Sequence, residues 1–361
     1  MHLNPPAVTD RKVRFALVGC GRIAANHMDS ITRHADRAEL VAVCDNDPAA
    51  LAAAVARTGA LGFAHHSQML AQAGATENGG LGVDCVVLAT PSGLHARQAA
   101  EAAAAGLHVM TEKPMATRWA DGLAMVKACD DAQVRLFVVK QNRRNRTLQL
   151  LRQAIQAGRF GRIYMVTVNV FWSRPQSYYD SAPWRGTWEF DGGAFMNQAS
   201  HYIDLLDWMV GPVESVMAYT GTLARDIEVE DTGVAALRWR SGAMGSINVT
   251  MLTHPKNLEG SITLLGEKGT VRVGGVAVNK IEHWEFAEPH AMDAGLDDAS
   301  YQTTSVYGFG HPLYYDNVIR SLRGECEPET DGREGLKSLE LLIAMYRSAR
   351  DGKRINLPLE Y

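Results

Sequence analysis

Along the first 140 residues, short apolar runs of strand length alternate with longer stretches that carry helical spacing. Residues 13–18, 39–44, 84–89, 107–110 and 134–140 read as strands, and 25–34, 48–57, 67–72, an alanine-rich stretch ending at Ala105, and 118–132 read as helices. That alternation implies a parallel sheet with right-handed crossovers. The loops after Val18, Ala89 and Met110 then share the carboxyl edge of the sheet, where such sheets bind ligands.

Beyond residue 141 the pattern changes. A helix over 147–157 ends at Gly158, a common helix stop. Strand-like segments follow at 163–172, 213–222, 232–240, 243–251, 261–265 and 270–273, with few helices between them. Alternation at Ile247, Val249 and Met251 and the Ser241-Gly242 turn predict antiparallel hairpins. Helices at 314–323 and 334–350 are expected to complete this half. The fold class is α/β: an N-terminal Rossmann dinucleotide-binding domain over 1–140 and a C-terminal α+β domain over 141–361 with a large, mostly antiparallel open sheet.

The first strand runs into Gly19-Cys20-Gly21-Arg22-Ile23-Ala24 and then a helix, which is a dinucleotide fingerprint. Gly19 suits a tight turn, Gly21 lets backbone approach a pyrophosphate, and Ala24 allows close helix packing. The second strand ends in Asp45, about where the ribose-binding acid of such sites belongs. A carboxylate there repels a 2′-phosphate, and no arginine directly follows it, so NAD is favoured over NADP. The competing role for Asp45 is a helix cap, which Asp47 before Pro48 fills better. At the same edge lie Thr90, Pro91 and His95, and then Thr111-Glu112-Lys113-Pro114, where proline ends the strand and leaves an ammonium group at the ligand edge. His95 is either a ligand contact or a packing histidine.

Composition narrows the function. With 46% hydrophobic residues among 361 the chain can bury substantial cores, and a net charge of −4 gives no basic footprint for nucleic acid. No apolar run has membrane-spanning length and the N-terminus has no signal-peptide core, so a cytoplasmic protein with a loose tail over 1–9 is expected. The five scattered cysteines contain no Cys-x-x-Cys spacing, which favours buried thiols over disulfides or zinc. His65-His66, on an extended segment, would face opposite ways, so no metal site is expected.

Two passages of the second half exceed what a scaffold needs. One is Phe171-Trp172-Ser173-Arg174-Pro175-Gln176-Ser177-Tyr178-Tyr179, continuing to Trp184-Arg185-Gly186-Thr187-Trp188. Arginines among aromatic rings suit a ligand with flat apolar faces and anionic groups, although an aromatic packing loop has the same composition. The other is 191–204, where a helix places Asn197, His201 and Asp204 on one face, and a histidine flanked by polar groups is a proton-transfer candidate.

Taken together, the Gly19–Ala24 turn, Thr90-Pro91 with His95, Glu112-Lys113-Pro114 and the glycine-led segment ending in His201 and Asp204 resemble the Gfo/Idh/MocA oxidoreductase family over nearly the whole chain. Gln176-Ser177-Tyr178-Tyr179-Asp180, Trp184-Arg185-Gly186-Thr187-Trp188, Asn197-Gln198-Ala199-Ser200-His201 and Gly308-Phe309-Gly310-His311 are similar to its WlbA/WbpB branch. That branch oxidises the 3″-hydroxyl of UDP-N-acetyl-D-glucosaminuronic acid, toward diacetamido-uronic acids of bacterial surface polysaccharide. The resemblance implies NAD held by Gly19, Gly21, Arg22, Ile23, Asp45, Thr90, Pro91, His95, Glu112, Lys113 and Gln141. It implies a UDP-sugar held by Trp172, Arg174, Ser177, Tyr178, Tyr179, Arg185, Asn197, His201 and His311, with Lys113 and His201 catalytic and either one the base. It further implies a homotetramer and coupling to a PLP aminotransferase. Many family members carry Asp where Asn197 stands, so an Asp–His pair there is not expected. Rival readings are a dehydrogenase of a free polyol such as an inositol, and a non-catalytic NAD sensor.

Overall fold

A computed structural model describes residues 7–303, 306 and 308–360, so the first six residues of the expected tail lie outside it. The chain forms two compact units, Met1–Val139 with His311–Leu336, and Lys140–Gly310 with Lys337–Tyr361.

In the first unit, β1 (Val13–Val18), β2 (Ala38–Cys44), β3 (Leu61–Phe63), β4 (Cys85–Leu88), β5 (His108–Thr111) and β6 (Leu136–Val138) form a parallel sheet in the order β3-β2-β1-β4-β5-β6. β4 and β5 are buried along their whole length, as expected of central parallel strands covered on both faces. The order reverses beside β1, which puts the Gly19 turn at the switch point of the sheet. Asp47 caps the helix Pro48–Thr58 through the Ala49 and Ala50 amides. The expected cap at Ser67 is displaced: the helix is His66–Ala71, preceded by His65 in extended conformation.

A larger difference concerns the end of the chain. The helix His311–Leu322, expected in the second domain, belongs to the first unit. Its buried face, Tyr314, Tyr315, Val318, Ile319 and Leu322, joins Phe15, Leu17, Met28 and Phe137 in one core. Tyr314 donates to the Val138 carbonyl at 2.9 Å, and Arg37 pairs with Asp316 at 2.7 Å. Its own period looked ordinary; only its partners place it.

The second unit contains β7 (Ile163–Phe171), β8 (Val213–Gly221), β9 (Thr232–Trp239), β10 (Met244–Thr250), β11 (Glu259–Gly266), β12 (Gly269–Gly274), β13 (Lys280–Phe286) and β14 (Ile355–Asn356). Their order is β13-β12-β11-β7-β10-β9-β8-β14, antiparallel except for β7 beside β10. β13 escaped the sequence pattern because its charged positions leave no apolar run. One face of the sheet is buried through residues such as Val166, Val168, Trp239, Ile247 and Val249, and the helix Ser200–Val210 adds Tyr202, Ile203, Leu205 and Leu206 to that core. No helix among the described residues is long and apolar enough to cross a membrane.

Candidate active site

In the first unit, Gly19 has φ +94°, and a Cβ there would come within 2.6 Å of the Ala89 carbonyl carbon, so the turn requires glycine. Asp45 accepts the Cys20 amide at 2.6 Å and the Asp47 amide at 2.8 Å, so the acid at the end of β2 braces the glycine turn rather than capping a helix. Around Gly21 the space is open to 4 Å. The helix Ala24–Arg33 starts with no side-chain cap and no acid in its first turn, which leaves its positive end suited to a phosphate. These residues fit a dinucleotide.

Thr90 Oγ1 is hydrogen-bonded to Gln98 at 2.6 Å. His95 is buried with its ring between the Thr90 carbonyl, at 2.9 Å, and the Pro114 carbonyl, at 3.1 Å. Burial lowers its pKa against the pull of the two carbonyls, and the ring links the two loops. Lys113 leaves the sheet just after β5, half-buried, with its peptide to Pro114 cis.

Beneath Lys113 lies a buried set that sequence reasoning did not find. Glu112 Oε2 accepts the Lys113 amide at 3.0 Å, while Oε1 stands 3.3 Å from His27 Nε2 and 3.5 Å from His311 Nε2. His27 Nδ1 in turn lies 2.9 Å from the Tyr315 hydroxyl. Burial pushes the Glu112 carboxyl upward, but the two imidazoles outweigh it and hold the group well below its ordinary pKa. His311 is pulled down by burial against the pull of Glu112. His311, expected to touch substrate, lies against Glu112 in this buried set. His27 had a signal: with Ala24, Met28 and Ile31 it shares the buried stripe of its helix. Among the described residues, no cluster of His, Cys, Asp or Glu is arranged to hold a metal.

In the second unit, Gln141 is buried and its side-chain amide lies 3.0 Å from His201 Nε2. Gln141, expected among cofactor contacts, also meets the candidate base. Asp204 takes a two-pronged bond from Arg143 at 2.8 and 2.7 Å and lies 3.3 Å from Lys140 Nζ. Burial opposes ionisation of Asp204, but Arg143 and Lys140 prevail and keep its pKa far below the usual range. Its charge is already matched by two cations.

The expected single helical face does not form as drawn. Ala194–Gln198 is a π-helical turn, closed by the Ala199 amide on the Ala194 carbonyl, and the α-helix starts at Ser200. The extra residue per turn rotates Asn197 away from the His201–Asp204 register, and π-turns recur at functional sites. Asn197 instead donates to Asp191, whose other oxygen accepts the Gly186 amide at 2.7 Å.

The arginine-aromatic passage is a layered cluster. Arg185 lies 4.4 Å from the ring centroids of both Tyr178 and Trp184 and donates to the Tyr178 hydroxyl at 2.7 Å. Arg174 lies 5.2 Å from the Trp172 ring and 5.4 Å from Tyr178, and bonds the Ser173 carbonyl and Asn257. Among the described residues these guanidiniums are held by rings, a phenol, a carbonyl and an amide, not by carboxylates. Trp172 and Tyr179 are buried, with the Trp172 N–H on the Val276 carbonyl, and so form the floor of the cluster; Ser177 is exposed.

Comparison with known proteins agrees with this architecture. Residues 13–140 match the family model described as oxidoreductase family, NAD-binding Rossmann fold, and residues 152–357 match its C-terminal alpha/beta domain. The chain is 71% identical to the WlbA dehydrogenase of Chromobacterium violaceum solved with NADH and UDP-GlcNAcA, with a TM-score of 0.94 and 100% of each chain covered. It is 73% identical to the WlbA dehydrogenase of Bordetella pertussis, solved with the same two ligands, with a TM-score of 0.93 over 98% of this chain and 100% of that one. Inositol 2-dehydrogenase of Rhizobium meliloti is 28% identical over 96% of this chain and 99% of its own length. With both family domains matched in order, the chain belongs to the Gfo/Idh/MocA family of NAD-dependent oxidoreductases.

Proposed function

We propose that the protein oxidises the 3″-hydroxyl of UDP-N-acetyl-D-glucosaminuronic acid to the 3-keto sugar with NAD+. The observation that carries this reading is the 71% and 73% identity, along essentially the whole chain, to two dehydrogenases bound to NADH and UDP-GlcNAcA. The Arg174–Tyr178–Arg185 cluster supports it, because guanidiniums without carboxylate partners suit a ligand carrying a carboxylate and a diphosphate.

The reaction removes a hydride from C3″ and a proton from its hydroxyl. NAD+ supplies the hydride acceptor. His201 takes the proton, with Gln141 orienting its ring, and Lys113 holds the sugar oxygen and stabilises the negative charge that grows on it. Glu112, His27 and His311 fix the Lys113 backbone. Asn197, held by Asp191, is a substrate contact.

In this reading the enzyme works in the cytoplasm, in lipopolysaccharide O-antigen biosynthesis, and its ketone is the substrate type of a PLP aminotransferase. The open face of the second sheet is the subunit contact of a homotetramer. On it Leu265, Met165 and Met244 stand side by side on neighbouring strands, as do Tyr219 and Val234, all exposed.

The test is NADH absorbance with UDP-GlcNAcA, UDP-GlcNAc and myo-inositol. Turnover with the uronate, and at least about tenfold less kcat/KM with UDP-GlcNAc, is expected from losing a charged contact. Preference for inositol, or equal use of the two nucleotide sugars, would refute it.

A further inference from the structure

Glu230 precedes β9 and is 3% exposed. Its Oε1 accepts the Phe195 amide at 2.9 Å and the Tyr346 hydroxyl at 2.8 Å, whereas Oε2 is buried without a hydrogen-bond partner among the described residues. Gly193 packs so closely that an added Cβ would lie 1.7 Å from Oε2. The Glu230 carbonyl accepts the Ala194 amide at 3.0 Å, and the Tyr346 hydroxyl accepts the Met196 amide at 3.1 Å. Three successive amides at the start of the π-turn are therefore fixed by Glu230 and Tyr346. That turn presents Asn197 and leads into the helix that carries His201.

We propose that Glu230 is a positioning residue for the reaction, holding the Ala194–Gln198 turn as an uncharged carboxylic acid and releasing it on losing its proton. The proposal rests on the reading of Asn197 and His201 as the residues that handle substrate. An anion with one bare, buried oxygen is far costlier than a neutral acid in the same place. Burial raises the carboxyl pKa to about 7, against the pull of the Phe195 amide and the Tyr346 hydroxyl and with a further push from Asp231. The titratable neighbours are Tyr346, from the helix Gly332–Asp351, and Asp231, whose carboxylate faces away to accept the Leu223, Ala224 and Arg225 amides. Neither is a cation: Asp231 opposes the ionised form, and Tyr346 favours it only through its bond to Oε1, which leaves Oε2 bare. In the ionised state the bonds to Oε1 persist, but the bare Oε2 has to be hydrated, and Gly193, packed against that oxygen, must move to admit water, which shifts the turn that presents Asn197 and leads to His201.

The experiment compares the full-length protein with Glu230→Gln and Glu230→Ala. Turnover of the wild type should fall as pH rises through about 7, with KM for NAD+ unchanged. Glu230→Gln, which stays uncharged, should keep most of the turnover near pH 6 and lose that alkaline fall. Glu230→Ala should lower kcat on the order of tenfold to a hundredfold, the scale of a small misplacement of reacting groups. Infrared difference spectra of wild type against Glu230→Gln should show a protonated carboxyl band that bleaches with a midpoint near 7. An unchanged alkaline limb in Glu230→Gln, or no such band near pH 6, overturns the proposal. The band is read without substrate, so failure of the UDP-sugar reading, seen as no turnover at all, remains distinct from failure of this one.

Discussion

Glu112 in the first unit and Glu230 in the second are both buried glutamates beneath a segment that presents a candidate catalytic group, Lys113 in one case and His201 in the other. Glu112 is met by two imidazoles and an amide, and both of its oxygens are engaged. Among the described residues, Glu230 has two donors on one oxygen and none on the other. The first is held as an anion, whereas the second is pushed toward the neutral acid. Burial is common to both; the number and placement of donors decide the charge. The dinucleotide unit thus rests on an ion and the sheet unit on a neutral hydrogen-bonding group.

The largest test asks whether both supports lead to chemistry. Lys113→Ala and His201→Ala should each slow single-turnover hydride transfer by roughly 10² to 10⁴, the usual worth of a positioned proton-transfer group. Near-normal rates in either variant would leave its glutamate with a structural role only. Next, Glu112→Gln removes the charge that the two histidines face and should cost about 2 kcal/mol of stability, read by denaturant unfolding. The same variant tests the sign of the comparison. With its pKa held below the ordinary 4.5, Glu112 stabilises the fold above that value and loses the effect as pH falls through the lowered pKa, so Glu112→Gln should flatten the acid limb of the melting curve. Glu230 runs the other way: its contribution is full below 4.5 and fades as pH rises through about 7. The smallest effect is a coupling. Gly193→Ala should destabilise the wild type, yet cost about 1 kcal/mol less in a Glu230→Ala background, where the colliding oxygen is gone. Strict additivity would show that the contact is relieved by movement elsewhere.

Legibility differed between the two units for a physical reason. The glycine turn, Asp45 and the strand alternation are local, since each depends on residues a few positions apart or on one crossover, and the structure keeps them. The supports are not local. His27 bonds Tyr315 across 288 positions, and Glu112 meets His311 across 199. No window of sequence contains both partners, which is why the contact of His311 with Glu112 was not legible. Gln141 and His201 are separated by 60 positions, so their contact was equally hidden. The π-turn was invisible because one extra residue in a turn leaves composition unaltered while shifting Asn197 off the expected face. Glu230-Asp231 did leave a trace: two acids at the mouth of an apolar strand point to opposite sides, so at least one must be buried.

The return of His311–Leu336 to the first unit has a consequence for biogenesis. During translation the ribosome delivers the nucleotide-binding sheet early, but the helix bearing Tyr314, Tyr315 and Ile319 emerges only after most of the polypeptide has been made. Until then Phe15, Leu17 and Phe137 lack their covering layer, and a fragment ending at Val139 should expose this apolar surface and aggregate more readily than the full chain.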